Sequence, residues 1–418
     1  MRLHSLALAS VLALSSLAAS GCGDESTESQ SNDVGDAKNS KVERQAIGNC
    51  WLYATASWAE GLRIWATGEE PDLSQSYWTF WHWHAEILDG AAASEISTGG
   101  STWTAHDIIR KRGLMMEEDF IPEDVTSEMS ARQSSALAKI NEEIKTGRLK
   151  ESSARNDEKL VLTVLMDAWR LDENVRAQIL QVFGDDGTET LAYGGSTEGT
   201  KIIAARDFAV AYPERETDPA APTLRETNLE EAMGEWRTVR YPSAYDAAAR
   251  RNFQVRVQKT IHDGVAAVVT WDVEFNAMES GGGDKQGSFN LETLAAAGGP
   301  GRMGGHMTVF EDYEVETEEF GTLAAGVTLD PNDPADAEKL AAALLPTSAV
   351  KFFRIKNSWG GFRDDRASAP GFPGHHDLYM DYLNGPITWC PSVTGAKTAE
   401  NCRGTSVPFR DVLLPPGY

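Results

Sequence analysis

Cysteine and histidine are scarce in this chain, four and eight among 418 residues. No spacing among them forms the four-ligand set of a structural zinc site, so no metal or other cofactor is expected. Positive charge is short as well. Lys and Arg number 38 against 63 Asp and Glu, a formal net charge of −25. Such a surface repels phosphate backbones, which argues against nucleic acid as a partner. Beyond that, the acidity speaks to solubility and not to fold. The apolar run Leu6–Leu17 is, at about 12 residues, too short to cross a bilayer as a mature helix. Residues 23–40 hold almost no apolar side chain. The stretch 22–44 around them reads as a disordered tether.

The N-terminus has the organisation of an export signal. Arg2 and His4 form a short charged start, Leu6–Leu17 the apolar core, and Ala18-Ala19-Ser20-Gly21 the small-residue end. The run Ala19-Ser20-Gly21-Cys22 resembles a bacterial lipobox. On that reading residues 1–21 are removed, and acylated Cys22 anchors the protein to a bacterial membrane, facing the periplasm or the cell exterior. The alternative is ordinary secretion with Cys22 free. Export also permits a disulfide between Cys390 and Cys402. Closing so short a loop contributes roughly 3 kcal/mol in the chain-entropy account and would pin the tail over 390–418.

What the chain does have is a core. Hydrophobic residues make up 41% of it, with 12 Trp, enough at this length for two compact units plus insertions. Gln45-Ala46-Ile47-Gly48-Asn49-Cys50-Trp51-Leu52 sets a lone cysteine at the head of an Ala-rich helical run that reaches about Thr67 and stops at Gly68. A thiol at a helix N-terminus meets the positive end of the dipole and free N–H groups, both of which favour the nucleophilic thiolate. The side-chain N–H of Gln45, beside the first helical N–H, would complete an oxyanion site. The plainer reading makes Cys50 a small buried hydrophobe. Two later stretches bear on the choice. Gly304-Gly305-His306 opens one strand-like run, and Phe352–Lys356 ends another in Asn357-Ser358-Trp359-Gly360.

Cys, His and Asn in that order, with Trp beside the Asn, resemble the papain superfamily of cysteine peptidases. Leu73-Ser74-Gln75-Ser76-Tyr77 with Trp81, Gly99-Gly100-Ser101-Thr102-Trp103, and Lys111-Arg112-Gly113-Leu114 before Phe120 and Pro122 resemble its bleomycin hydrolase and aminopeptidase C branch. The likeness covers about 45–125 and 250–385. It implies an α+β, papain-like two-lobe fold: a helical lobe over 45–125 carrying Cys50, and an antiparallel, barrel-like β lobe over 251–389 carrying His306 and Asn357. It implies a Cys50 thiolate paired with His306, Asn357 orienting the imidazole and Trp359 shielding that bond. Gly99 and Gly100 line the cleft with Gly305 and Trp359, pairing with the main chain of a peptide or protein substrate. Gln45 stands one residue nearer the Cys than the family's usual spacing. The branch also lacks a pro-domain, and its own C-terminus lies in the cleft; here the chain ends in a stiff Pro415-Pro416-Gly417-Tyr418. Oligomerisation enters only through this likeness.

His306 lies about 250 residues after Cys50, against roughly 130–150 in the compact enzymes of this kind. The surplus reads as a mainly helical insertion over 126–250, with helices over 131–145 and 158–183. A further helix capped by Ser243, strands over 264–273, 306–315 and 376–383, and an Ala/Leu-rich helix after Pro334 complete the reading. The aromatic run Tyr77–His84 reads as interior packing, with His82 and His84 facing different ways. Two other functions fit the same residues: an inactive peptide-binding surface protein, and transglutaminase- or amidase-like acyl transfer.

Overall fold

The computed structural model describes residues 37–388 and 405–418, except 93, 243–245, 328 and 364. Helix α1 (Cys50–Thr67) ends where Gly68 turns left-handed at φ 75° and its N–H bonds the Ile64 carbonyl. Every residue from Trp51 to Leu62 is buried. A helix enclosed on all sides has no need of a single apolar stripe. Ser74 caps α2 (Gln75–Leu88) by accepting from the Tyr77 N–H, and the rings of Tyr77–His84 are all buried. They pack edge to face, Tyr77 on Phe120 and Trp81 on Phe183. The remaining helices of this lobe are α3 (Thr102–Arg112), α4 (Glu117–Phe120), α5 (Ala131–Lys145), α6 (Ser152–Arg155), α7 (Glu158–Ala168) and α8 (Glu173–Phe183). The single helix expected over 158–183 is thus two. Arg170 turns at φ 50°, and the Asp172 carboxylate caps α8 at the Val175 N–H. A local cap there wins over continued periodicity.

The insertion also departs from its helical expectation. Strands β1 (Ala209–Glu214) and β2 (Thr223–Asn228) form an antiparallel hairpin, followed by α9 (Leu229–Glu235) and β3 (Arg237–Arg240). Pro213 sits inside β1, β2 is largely exposed and polar, and neither gives the alternation by which a strand is recognised.

The second lobe is an eight-stranded sheet of order β3-β12-β4-β6-β8-β9-β5, with β7 paired to β6. Its members are β4 (Ala267–Glu274), β5 (Ser288–Phe289), β6 (Met303–Thr317), β7 (Gly321–Leu323), β8 (Ala349–Lys356), β9 (His375–Tyr379) and β12 (Phe409–Leu414), besides β3. Helices α10 (Ala247–His262), α12 (Pro334–Ala343) and α13 (Met380–Asn384) pack on it, and α11 (Leu291–Ala296) precedes β6. β10 (Ile387–Thr388) and β11 (Thr405–Ser406) pair with each other. The two faces of the sheet serve two cores. Val268, Met307, Val309 and Leu413 join the core around α1, while Val269, Trp271, Phe310 and Val412 build a second core on the far face. That is the period-two pattern of a strand buried on both sides. The result is the expected α+β arrangement of a helical lobe docked against a β lobe.

Three boundaries move. The tether expected over 22–44 gives way by residue 37 to a packed segment: Ala37, Ser40 and Val42 are buried, and the Lys38 N–H bonds the Gly264 carbonyl at 2.9 Å. Its polarity resembles disorder in sequence, but its polar groups find partners. Within the tail expected over 390–418, Phe409–Leu414 form β12, inserted between β3 and β4. The strand expected over 376–383 stops at Tyr379 and continues as α13. Asp246 caps α10; Ser243, Cys22, Cys390 and Cys402 lie outside the described residues.

Candidate active site

Cys50 owes its position to the turn before it. The Asn49 carboxamide donates to Thr79 Oγ1 at 3.0 Å and to Gln133 Oε1 at 3.2 Å, tying the turn to α2 and α5. Gly48 lies so close to Thr98 that a Cβ would sit 2.6 Å from its Oγ1. Asn49 makes no side-chain cap bond to α1, so the first-turn N–H groups stay available. Those of Cys50 and Trp51, with the Met307 N–H of β6, are the polar groups that favour the thiolate. Met307 follows His306 in the chain, and both line the same groove as Cys50.

His306 is carried by β6, opposite Trp271 of β4. Its Nε2 lies 2.8 Å from Asn357 Oδ1, at the end of β8. A carboxamide oxygen only accepts, so Nε2 carries the proton and Nδ1 of the neutral ring keeps its lone pair. Trp359 stacks over the imidazole at 5.1 Å between centroids and 21° between planes. Trp271 meets it edge-on at 5.6 Å. The Arg366 guanidinium in turn covers Trp359 at 4.3 Å. Between them these rings keep water from the His306–Asn357 bond.

A groove of about 540 Å³ contains both Cys50 and His306. One wall is Gly99, Gly100, Ser101, Thr102 and Trp103, and the other is Thr238, Thr270, Gly305, Met307, Arg410 and Asp411. A Cβ at Gly100 would overlap the Trp51 ring; only glycine brings the wall this close to the nucleophile's neighbour. The second wall is the same sheet face that is apolar under α1, turned polar where the helix no longer covers it. Its ladder shifts register between Phe409 and Asp411. Such a bulge re-aims side chains, and here both Arg410 and Asp411 reach the groove. Arg410 Nη2 pairs with buried Asp272 at 2.6 Å.

Burial dominates the electrostatics. It raises the Cys50 thiol to about 11, against the pull of its three N–H donors. It lowers His306 to about 4, despite the Asn357 bond that favours the protonated ring. Burial thus works against both charges of the ion pair expected from sequence. Desolvation outweighs a dipole and a few N–H groups when nothing else compensates two buried charges.

Gln45 sits elsewhere than expected. Its Nε2 donates to the Ile47 carbonyl at 2.6 Å, its Oε1 accepts from Ser358 Oγ at 2.6 Å, and it is not among the groove's lining residues. The tight 45–49 turn folds the carboxamide back on its own backbone. Donors facing the thiol are instead backbone N–H groups. Trp359 shields from behind and does not line the groove, whereas Gly305 does. Sequence reasoning missed Thr238, Thr270, Arg410 and Asp411, because nothing local announces that a C-terminal strand will lie beside β4. Trp103, 77% exposed on the groove wall, was legible only as the end of the Gly-Gly-Ser-Thr-Trp run. Among the described residues no cluster of three His, Cys, Asp or Glu side chains is placed to hold a metal.

No family model matches the chain, and no curated protein matches it. Among solved structures it is similar to xylellain, a cysteine protease from Xylella fastidiosa, at 12% identity over 92% of this chain and 85% of that one, with a TM-score of 0.34. A likeness that distant carries no weight for the chemistry, which rests on the geometry above.

Proposed function

We propose that this protein is a papain-like cysteine peptidase, cutting peptide bonds through an acyl-enzyme on Cys50. The observation that carries the reading is the 2.8 Å bond from His306 Nε2 to Asn357 Oδ1. It turns the free Nδ1 lone pair of a shielded imidazole into a base, in the groove that holds the thiol. His306 takes the Cys50 proton as sulfur attacks the carbonyl carbon, and the oxyanion is met by the N–H groups of Cys50 and Trp51. The imidazolium returns that proton to the leaving amine; a water then attacks the thioester, giving its own proton to His306 and releasing the acid. Export and a lipid anchor at Cys22 belong to the same proposal, supported by the Leu6–Cys22 signal.

An epoxide reagent directed at active-site thiols is expected to label the protein at Cys50. Cys50→Ala is expected to lose both the label and all hydrolysis of a fluorogenic peptide. Labelling without hydrolysis would point to a peptide-binding protein. Transfer to an added amine in preference to water would point to an acyl transferase.

A further inference from the structure

Asn49, the residue before the nucleophile, stands at the head of α1 but does not cap it. Among the described residues two other asparagines hold that position, and both do cap. Asn228 before α9 and Asn290 before α11 accept from the N–H groups of Glu231 and Thr293. Their backbones are extended, with ψ at 166° and 158°, whereas Asn49 stands at φ −107° and ψ 31°. Two other helices hold its side chain away. The Thr79 hydroxyl of α2 gives its proton to the Gln75 carbonyl at 2.7 Å, so at 3.0 Å it accepts from Asn49 Nδ2. Gln133 of α5 donates from Nε2 to Ser76 Oγ at 3.0 Å and to the Tyr53 hydroxyl at 3.2 Å. That leaves its Oε1 to accept the second Asn49 bond at 3.2 Å. All of these side chains are buried. The donors and acceptors of both carboxamides are thereby assigned by their partners. Asn49 Oδ1 is left over, buried and without a hydrogen-bond partner among the described residues.

The oxygen of a capping asparagine takes the N–H of the second or third helical residue, here Trp51 or Leu52. The Trp51 N–H is one of the two donors that the peptidase reading gives to the oxyanion. The other, the Cys50 N–H, belongs to the peptide whose direction is set by ψ of Asn49. We propose that Gln133 and Thr79 are positioning residues that keep Asn49 from capping its own helix, and so keep both oxyanion donors free for the substrate. Capping satisfies an orphan N–H and is the favoured state of such a residue. Here the two bonds from Asn49 Nδ2 oppose it. Gln133 lies in the segment inserted after residue 125, so the insertion takes part in the chemistry through this one side chain. The role of the donors rests on the peptidase reading; the restraint on Asn49 does not.

The test reads kcat and KM on a fluorogenic peptide together with amide hydrogen exchange at Trp51, all in the full chain. Gln133→Leu keeps the bulk of the side chain and removes the acceptor. It is expected to lower kcat about tenfold with KM held within about twofold. Exchange at Trp51 is expected to slow about tenfold, as the freed carboxamide closes over the first turn. Asn49→Ala has no carboxamide to fall back. Added to Gln133→Leu, it is expected to return fast exchange and to recover most of kcat. A network that served packing alone would give the opposite, a double variant slower than Gln133→Leu. Thr79→Val is the milder change. It removes the other acceptor and is expected to act in the same direction, while Thr79→Ser, which keeps the hydroxyl, reverses the effect. Unchanged kcat and unchanged Trp51 exchange in both Gln133→Leu and Thr79→Val would overturn the proposal, as would a double variant slower than Gln133→Leu. If the wild type cleaves no peptide, the peptidase reading falls, and exchange at Trp51 alone decides whether the two residues restrain Asn49.

Discussion

His306→Ala is expected to lower kcat/KM for peptide hydrolysis by about 10⁴, to the level of a thiol left to ionise unaided. The size follows from the burial that raises Cys50 to about 11. At pH 7 such a thiol is ionised to about one part in 10⁴, and without the Nδ1 lone pair nothing nearby takes its proton. The leaving amine loses its proton donor in the same change, so the two losses belong to one group and do not multiply. Iodoacetamide alkylation separates the effects, because it needs the thiolate but no leaving-group proton. In His306→Ala the alkylation rate is expected to climb tenfold per pH unit toward about 11. In the wild type it is expected to run faster at neutral pH, with its acid limb near the His306 value of about 4. Below that pH the ring already holds a proton and cannot accept the one on sulfur. An alkylation profile identical in both proteins would remove His306 from the chemistry. Asn357→Ala is a milder version: loss of the Oδ1 acceptor frees the tautomer and costs about tenfold in kcat/KM.

Much of that constellation was legible in the sequence. Cys50 heads a helix whose limits, down to Gly68, follow from small-residue periodicity and a glycine stop. His306 and Asn357 each end or open an apolar run with Gly or Trp alongside; their pairing was expected from the family resemblance, and the fold does bring the two side chains together across 51 positions. The interior packing of the ring-rich run Tyr77–His84 was equally plain, being a local signal. What failed was nonlocal. The polar residues 37–44 are ordered only because groups far along the chain receive them. β12 is a strand only because β4 and β3 offer edges to it. Gln45 was aimed at the groove by its nearness in sequence, and the fold turned it to Ser358 instead. The electrostatic surroundings are nonlocal for the same cause, since a helix dipole is visible in sequence while the burial that opposes a charge on Cys50 is not.

The residue before Asn357 carries the second large effect. Lys356 is buried, and its ammonium donates to the Ser40 carbonyl at 2.8 Å, Ser40 Oγ at 3.0 Å and the Lys41 carbonyl at 3.2 Å. Around it stand Glu43 of the N-terminal segment, Glu60 of α1 and Glu311 of β6, each drawn to its charge. Glu43 accepts from Gln75 Nε2 of α2 at 2.7 Å, and Glu311 meets His375 Nε2 of β9 at 2.6 Å. The segment 38–45 thereby ties both lobes together around one buried cation. Lys356→Met leaves buried carboxylates without that cation, and is expected to cost about 3–5 kcal/mol at pH 8. The sign of the pH dependence is fixed by Glu60, which burial raises to about 7 from the ordinary carboxylate range. A carboxyl raised on folding binds more protons in the native state, so stability is full at low pH and falls as pH rises toward 7. Removing Lys356 takes away a charge that holds Glu60 down, which steepens that fall and carries it to higher pH. Urea midpoints at pH 5 and pH 8 are the measurement: a deficit large at pH 8 and much smaller at pH 5 is expected. Glu60→Gln added to Lys356→Met is expected to recover part of the loss at pH 8, through a positive coupling between the two sites. A pH-independent deficit, or no recovery in the double variant, would mean that Lys356 acts by its methylene packing and not by its charge.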